Sequence, residues 1–368
     1  MEHVLPIKPD PNFQTSCWDA NWLSLVLSDD KYLPWYIEHF ISIHMRNNYI
    51  VHYYDVYGID YCSIYDEVLE IVPLEAFYKD IDDVVSFTKK NIDNGYYVNF
   101  TLDLFYIDFS NDYNNNHNFH GPLVFGYNDE KKVFYGYDLL FGISEYKFDQ
   151  YKSACESLFA NIRDTLANDL NKEHENYNFN KKDFFTYHIG LHCKGFIACL
   201  KNGNFRKKPS LGRILLAIED CLEGNIFINE KNSILNKWYG VSMYNKFNND
   251  ILNNWNQIKE NFSIEQLRTV YFGFKTIVED KKGLKYRMDY LYNNGIIPAD
   301  YDLQNRFDFF YKRLNQAFLL LVKFNETQNA KYLDQTKIIM QNIVDLDREV
   351  LERSSDAIFG VIKHDYNS

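Results

Sequence analysis

Three residues of this sequence have the types and the spacing for nucleophilic chemistry: Cys17, His120 and Asp138. Cys17 lies in Asn12-Phe-Gln-Thr-Ser-Cys-Trp, directly before the apolar stretch 18–27 (WDANWLSLVL). That stretch reads as a buried helix, and Thr15 and Ser16 are suitable caps for it. A cysteine at a helix N-terminus feels the positive end of the helix dipole and gives up its proton more readily. The thiolate is the nucleophile, and a histidine beside it would serve as base and ion-pair partner.

His120 is the favoured histidine because it opens a segment that can fold back on itself. The sequence runs His120-Gly-Pro-Leu-Val-Phe-Gly-Tyr, then Asn-Asp-Glu, then Lys-Lys-Val-Phe-Tyr-Gly-Tyr-Asp138. This reads as a hairpin. A three-residue loop over 128–130 would pair Tyr127 with Lys131 and set His120 opposite Asp138. Opposed residues on one face lie roughly 4.5–5.5 Å apart at Cβ, so the carboxylate could hold the imidazole in one tautomer. A five-residue loop would make the two diagonal neighbours. A four-residue loop would put them on opposite faces. Pro122 marks an edge or a frayed start. His117, in the polar loop 112–118 (DYNNNHN), is the alternative base. Gln14 is a candidate oxyanion donor beside the Cys17 backbone N–H, or simply a loop residue.

The elements that must position these residues can be read from periodicity. Runs 48–57 (NYIVHYYDVY) and 96–109 (YYVNFTLDLFYIDF) are rich in β-formers. In the second, Val98, Phe100, Leu102 and Leu104 fall on one face. After residue 150 the pattern turns helical. Phe307, Phe310, Tyr311, Leu314, Phe318 and Leu321 recur at helical steps, and so do Tyr332, Thr336, Ile339, Ile343, Leu346 and Val350. The expected class is α+β. Residues 1–150 would form a core of antiparallel sheet and nucleophile helix. Residues 151–368 would form a helix-rich region packed on it for substrate or partner binding. The polar stretch 171–182 (NKEHENYNFNKK) reads as a loop within the latter.

Other chemistries find less support. His188 and His192 are four apart and Cys193 comes next, but Gly190 weakens a helix there and no HExxH or further ligand set is present. No phosphate-cradling glycine loop, Rossmann fingerprint or GxSxG elbow occurs, so no cofactor or metal is expected. The six cysteines include no CxxC pair and read as free thiols. The 30 Tyr and 29 Phe read mainly as core. A net charge of −12 argues against nucleic-acid or anionic-membrane partners. One basic cluster, Arg206, Lys207 and Lys208 with Arg213 beyond it, is either a solvated face or a site for a phosphate or an acidic partner protein. The N-terminus lacks the basic and apolar regions of a secretion signal, and no apolar run reaches the ~20 residues of a bilayer span. The expected location is the cytoplasm.

A cysteine at a helix start, then a histidine on one strand and an acid on the next, resembles the order of papain-like cysteine peptidases. The N-terminal Cys17-Trp18, the H-x-x-x-V-x-G-Y strand from His120 to Tyr127 and the subsequent Tyr-x-Asp138 resemble the butirosin biosynthesis H-type acyltransferases more closely. The resemblance covers about the first 150 residues. It departs from the peptidases in two places: Gln14 stands three residues before the cysteine rather than six, and the third member is Asp rather than Asn. The resemblance implies a papain-like fold for the N-terminal half and a Cys–His–Asp acyltransferase. Its partners would be an acyl or peptidyl carrier protein bearing a phosphopantetheine thioester and a small amine, such as the diamine 1,3-diaminopropane. Asp19, Asp103 and Asp108 are then candidates to bind the amine's charge, and the 206–213 cluster to dock the carrier. A cysteine hydrolase (peptidase or thioesterase) and an inert scaffold are the alternatives.

Overall fold

The structure, a computed structural model, describes residues 1–13, 17–46, 51–54, 64–73, 81, 83–158, 195–203, 205–223, 237–255, 257, 260 and 263–367. The described chain is α+β. Its strands are β1 (Glu2–Val4), β2 (Ser42–Arg46), β3 (Val51–Tyr54), β4 (Leu69–Pro73), β5 (Tyr97–Asn99), β6 (Leu102–Asp103), β7 (Phe119–His120), β8 (Leu123–Asn128), β9 (Val133–Asp138), β10 (Gly142–Lys147), β11 (Phe196–Leu200) and β12 (Lys237–Tyr239). Every pairing between them is antiparallel. Among the described residues, no helix is long and apolar enough to cross a membrane.

The chain forms two compact units, each made of two segments. Met1–Asp30 and Tyr65–Asn204 make the first; Lys31–Ile64 and Phe205–Ser368 make the second. The division therefore does not fall at residue 150, and strand pairing is the reason. β11 comes after residue 150 in sequence but lies between β5 and β4 in the first unit's sheet. β2 and β3 precede residue 150 but form a three-stranded sheet with β12 in the second unit.

The first unit is built on a sheet of order β10-β9-β8-β5-β11-β4. β5 and β1 divide one edge of β8: β5 pairs with Leu123 and Val124, and β1 with Gly126 to Asn128. Gly126 permits this approach, because a Cβ there would lie 2.8 Å from the His3 carbonyl oxygen. The face predicted from alternation is real: Val98, Phe100, Leu102 and Leu104 are all buried in one apolar cluster with Val124, Phe134 and Tyr151. The long strand expected over 96–109 is nonetheless broken. Asp103 Oδ1 accepts a hydrogen bond from Phe105 N and caps a single 3-10 turn, Leu104–Tyr106. Two helices flank these strands in sequence, α1 (Cys17–Val26) and α3 (Val84–Asp93), the latter capped by Asp83 through Ser86 N. The intervening α2 (Leu33–Glu38) belongs to the second unit.

In the second unit the helical periodicities resolve into Tyr301–Thr327 and Ala330–Asn367, joined by Gln328 in the left-handed conformation. Phe307, Phe310, Leu314 and Leu321 are buried, as are Thr336, Ile339, Ile343 and Val350. The stripe also contains Asp347, fully buried against Lys281 of the helix Ile264–Asn293.

Candidate active site

Cys17 is the first residue of α1. Side chains of α1 anchor this helix in the first unit. Trp22 stacks on Phe196 of β11 at 3.9 Å and on Tyr65 at 5.5 Å. Asn21 Nδ2 donates to the Gly121 carbonyl at 3.1 Å, one residue beyond His120. Asn21 lies four residues after Cys17, so the two share one helix face a single turn apart. The helix start is thereby held near the strand that carries the histidine. Gln14 and the expected caps Thr15 and Ser16 lie outside the described residues, as do His188, His192, Cys193 and the stretch 171–182.

His120 Nδ1 lies 2.6 Å from Asp138 Oδ2, and the Asp138 side chain is only 1 % exposed. The pair forms by a different register from the one expected. Asn128 stays in β8, pairs with Val133, and accepts backbone N–H bonds from Glu130 and Lys131 on its own Oδ1. The loop is thus the four residues 129–132, with Lys132 at φ 56°. A four-residue loop alone would put His120 and Asp138 on opposite faces. A bulge between Val124 and Gly126 adds one residue to β8 and restores the parity. Beyond it Leu123 pairs with Tyr137, so Asp138 faces position 122 and His120 is its diagonal neighbour on the same face.

Asp138 is further fixed by its Oδ1, which accepts from Leu140 N at 2.6 Å. Burial, and then the charge of Asp138, push the Tyr146 phenol far above its ordinary range, so this ring stays neutral. Tyr146 reaches this position over Gly136, where a Cβ would lie 2.7 Å from its ring. A carboxylate buried in this way is stabilised by donors; Leu140 N supplies one to Oδ1, and His120 Nδ1 stands within ion-pair distance of Oδ2.

The alternative base, His117, has a partner of its own. Its Nδ1 lies 2.7 Å from Asp103 Oδ2, and its ring stacks on Phe105 at 4.5 Å. β6 pairs Leu102 with His120 and Asp103 with Phe119. Alternation along β6 sets Asp103, and with it the His117 ring it holds, on the face of this ribbon opposite to His120. The three proposed amine-binding carboxylates are already engaged. Asp19 accepts from Tyr65 Oη at 2.9 Å, Asp103 from His117, Ser157 and Phe105 N, and Asp108 pairs with Lys147 at 2.7 Å. Arg206, Lys207 and Lys208 are exposed and belong to the second unit, whereas Arg213 Nη1 is 3.0 Å from His39 Nε2 and 3.8 Å from Glu38.

Two residues of this region were not foreseen. Asn21 and Asn99 both donate to the Gly121 carbonyl at 3.1 Å, and Asn99 also donates to that of Pro122 at 2.9 Å. The readable signal was Gly121-Pro122, which breaks the ladder and leaves carbonyls for side chains to satisfy. No family model matches the chain, and no curated protein matches it. In chemical terms, an imidazole within 2.6 Å of a buried carboxylate, on a strand tied through Gly121 to the helix that Cys17 begins, suits a base for nucleophilic attack on an activated carbonyl.

Proposed function

We propose that the chain is a cysteine acyltransferase of papain-like type, related to the butirosin biosynthesis H-type enzymes. Cys17 is the nucleophile, His120 the base and Asp138 the group that orients it. The observation that carries this reading is the 2.6 Å pairing of His120 with the buried Asp138, on a strand tied through Gly121 to the helix that Cys17 begins. The particular resemblance we favour is to the amide synthase of the closthioamide pathway, with a carrier-bound acyl or peptidyl thioester as donor and a small diamine as acceptor.

The chemistry runs in two halves. The Cys17 thiolate attacks the thioester carbonyl, the C–S bond to the carrier breaks, and the His120 imidazolium returns its proton to the leaving thiolate. The acceptor amine then attacks acyl-Cys17, its proton passes to His120, and the Cys17 thiolate departs as the amide forms. Thioester exchange is nearly isoenergetic and aminolysis is downhill, so neither half calls for ATP. Asp138 holds His120 through Nδ1, which leaves Nε2 as the nitrogen that moves protons.

The test is to present an acyl thioester with and without a diamine and to monitor products and protein by intact mass. The expected results are an acyl adduct on Cys17 alone and an amide when the amine is added. Free acid as the sole product in both cases makes the protein a hydrolase. Equal turnover by Cys17→Ala, with no adduct on the native chain, makes it a scaffold without catalysis.

A further inference from the structure

Gly121 sits at a break in the ladder. On one side β5 pairs with β8 through Asn99 and Leu123; on the other β6 pairs with β7 through Leu102 and His120. The registers agree across the gap, so residues 121 and 122 are where a continuous strand would have carried on. They cannot do so regularly. Pro122 has no N–H to donate, and Gly121 lies so near β5 that a Cβ on it would meet the Phe100 carbonyl oxygen at 2.7 Å. The carbonyls left at this joint are satisfied by side-chain amides, and one of those amides, Asn21, comes from α1.

We infer that Asn21 is a positioning residue that sets the nucleophile helix against the histidine strand, so that Cys17 and His120 meet as an ion pair. This rests on the acyltransferase reading of the site. Asn21 is 4 % exposed, one turn from Cys17 and one hydrogen bond from the neighbour of His120. Only its donor end is used: among the described residues, Oδ1 has no hydrogen-bond partner. The requirement is therefore for an N–H at this place and not merely for a side chain of this shape. Aspartate, which is isosteric, would present an oxygen to the Gly121 oxygen and push helix and strand apart. Alanine would leave a buried carbonyl with one donor fewer. Small displacements of this kind at a remote support are enough to cost large factors at the reacting atoms.

The pH profile of Cys17 alkylation by iodoacetamide, read by mass on the intact full-length chain, tests this directly. The native protein should alkylate at Cys17 well below the ordinary thiol range of about 8.5, as cysteines paired with an imidazolium do. In Asn21→Ala the inflection should move up by at least about one pH unit, and in Asn21→Asp further still, with far-UV circular dichroism unchanged. Asn21→Gln, which keeps the donor, should recover part of the low-pH limb. Variants that reproduce the native profile overturn the inference. So do Ala and Asp variants that simply lose their folded spectrum to the same extent, since the role would then be structural alone. An ordinary thiol profile in the native chain removes the Cys17–His120 pair itself, and the acyltransferase reading falls together with this one.

Discussion

Asp138 has more invested in it than any other side chain near the candidate site. It is buried, receives the Leu140 N–H, lies 2.6 Å from His120, and is walled by a Tyr146 ring that only glycine at 136 admits. An amide in its place would preserve shape but would offer His120 Nδ1 either an N–H or a weaker acceptor, and so upset the tautomer. Asp138→Asn should lower the rate of Cys17 acylation by roughly 10²–10⁴-fold, measured in a single turnover with a short synthetic thioester, while leaving the melting temperature near that of the native chain. The second imidazole separates the roles. His117 belongs to Asp103 and to the other face of the ribbon, so His117→Ala should acylate within a few-fold of the native rate. His120→Ala should lose about 10²-fold or more in the same assay. Equal losses would mean that the two histidines act as one system.

At the scale of elements, the residue types were readable and the register was not. Periodicity placed α1, the hairpin strands and the two C-terminal helices, because each buries an apolar face whose spacing shows in the sequence. The bulge at 124–126 left no such mark: Phe125 and Gly126 look like ordinary strand residues until β1 arrives from the N-terminus to claim Gly126. The expected facing of His120 and Asp138 thus survives only in parity: loop length and bulge together shift the register by two residues, so the two are diagonal rather than directly opposed. Charges in the helical core were illegible for the same reason. Asp347 occupies a heptad-like position that reads as an interruption, and its partner Lys281 comes from another helix altogether. Asp280 beside it has its carboxyl pushed up to about 6, chiefly by burial, with Lys281 and Arg287 opposing and Asp347 adding to the rise. The folded pKa lies above the unfolded value near 3.8. The unfolded chain therefore ionises first as pH rises, and stability falls between about pH 4 and 6 and then stays reduced. Asp280→Asn should remove that cost. Amide exchange in the helix Ile264–Asn293 should slow by the equivalent of about 1–3 kcal/mol at pH 7.5, with little difference at pH 4. Lys281→Met should do the reverse at pH 7.5, since it leaves two buried carboxylates without their shared cation.

For the whole molecule the governing fact is discontinuity. Residues 31–64 leave the first unit directly after α1 and fold with the C-terminal helices, and the chain returns at Tyr65, whose hydroxyl at once bonds Asp19. Such an excursion has no composition boundary, no linker and no repeat to announce it, which is why a single cut near residue 150 was the natural reading. It also separates two properties that a carrier-dependent transferase would need. The candidate triad lies wholly in the first unit, and the exposed basic run Arg206–Lys208 in the second. On a chain of net charge −12 this run is a local exception. An acidic carrier protein would be drawn to it mainly through the rate of encounter, and that attraction is screened by salt. Reversing two of the charges, Lys207→Glu with Lys208→Glu, should therefore raise KM for a carrier-bound acyl donor by about 5–50-fold at low ionic strength and progressively less as salt is added. The kcat should hold, and so should the reaction with a short synthetic thioester that has no carrier to dock. A matched loss with both donors would locate the damage in folding or chemistry rather than in docking. No loss with either would return these lysines to the solvated surface.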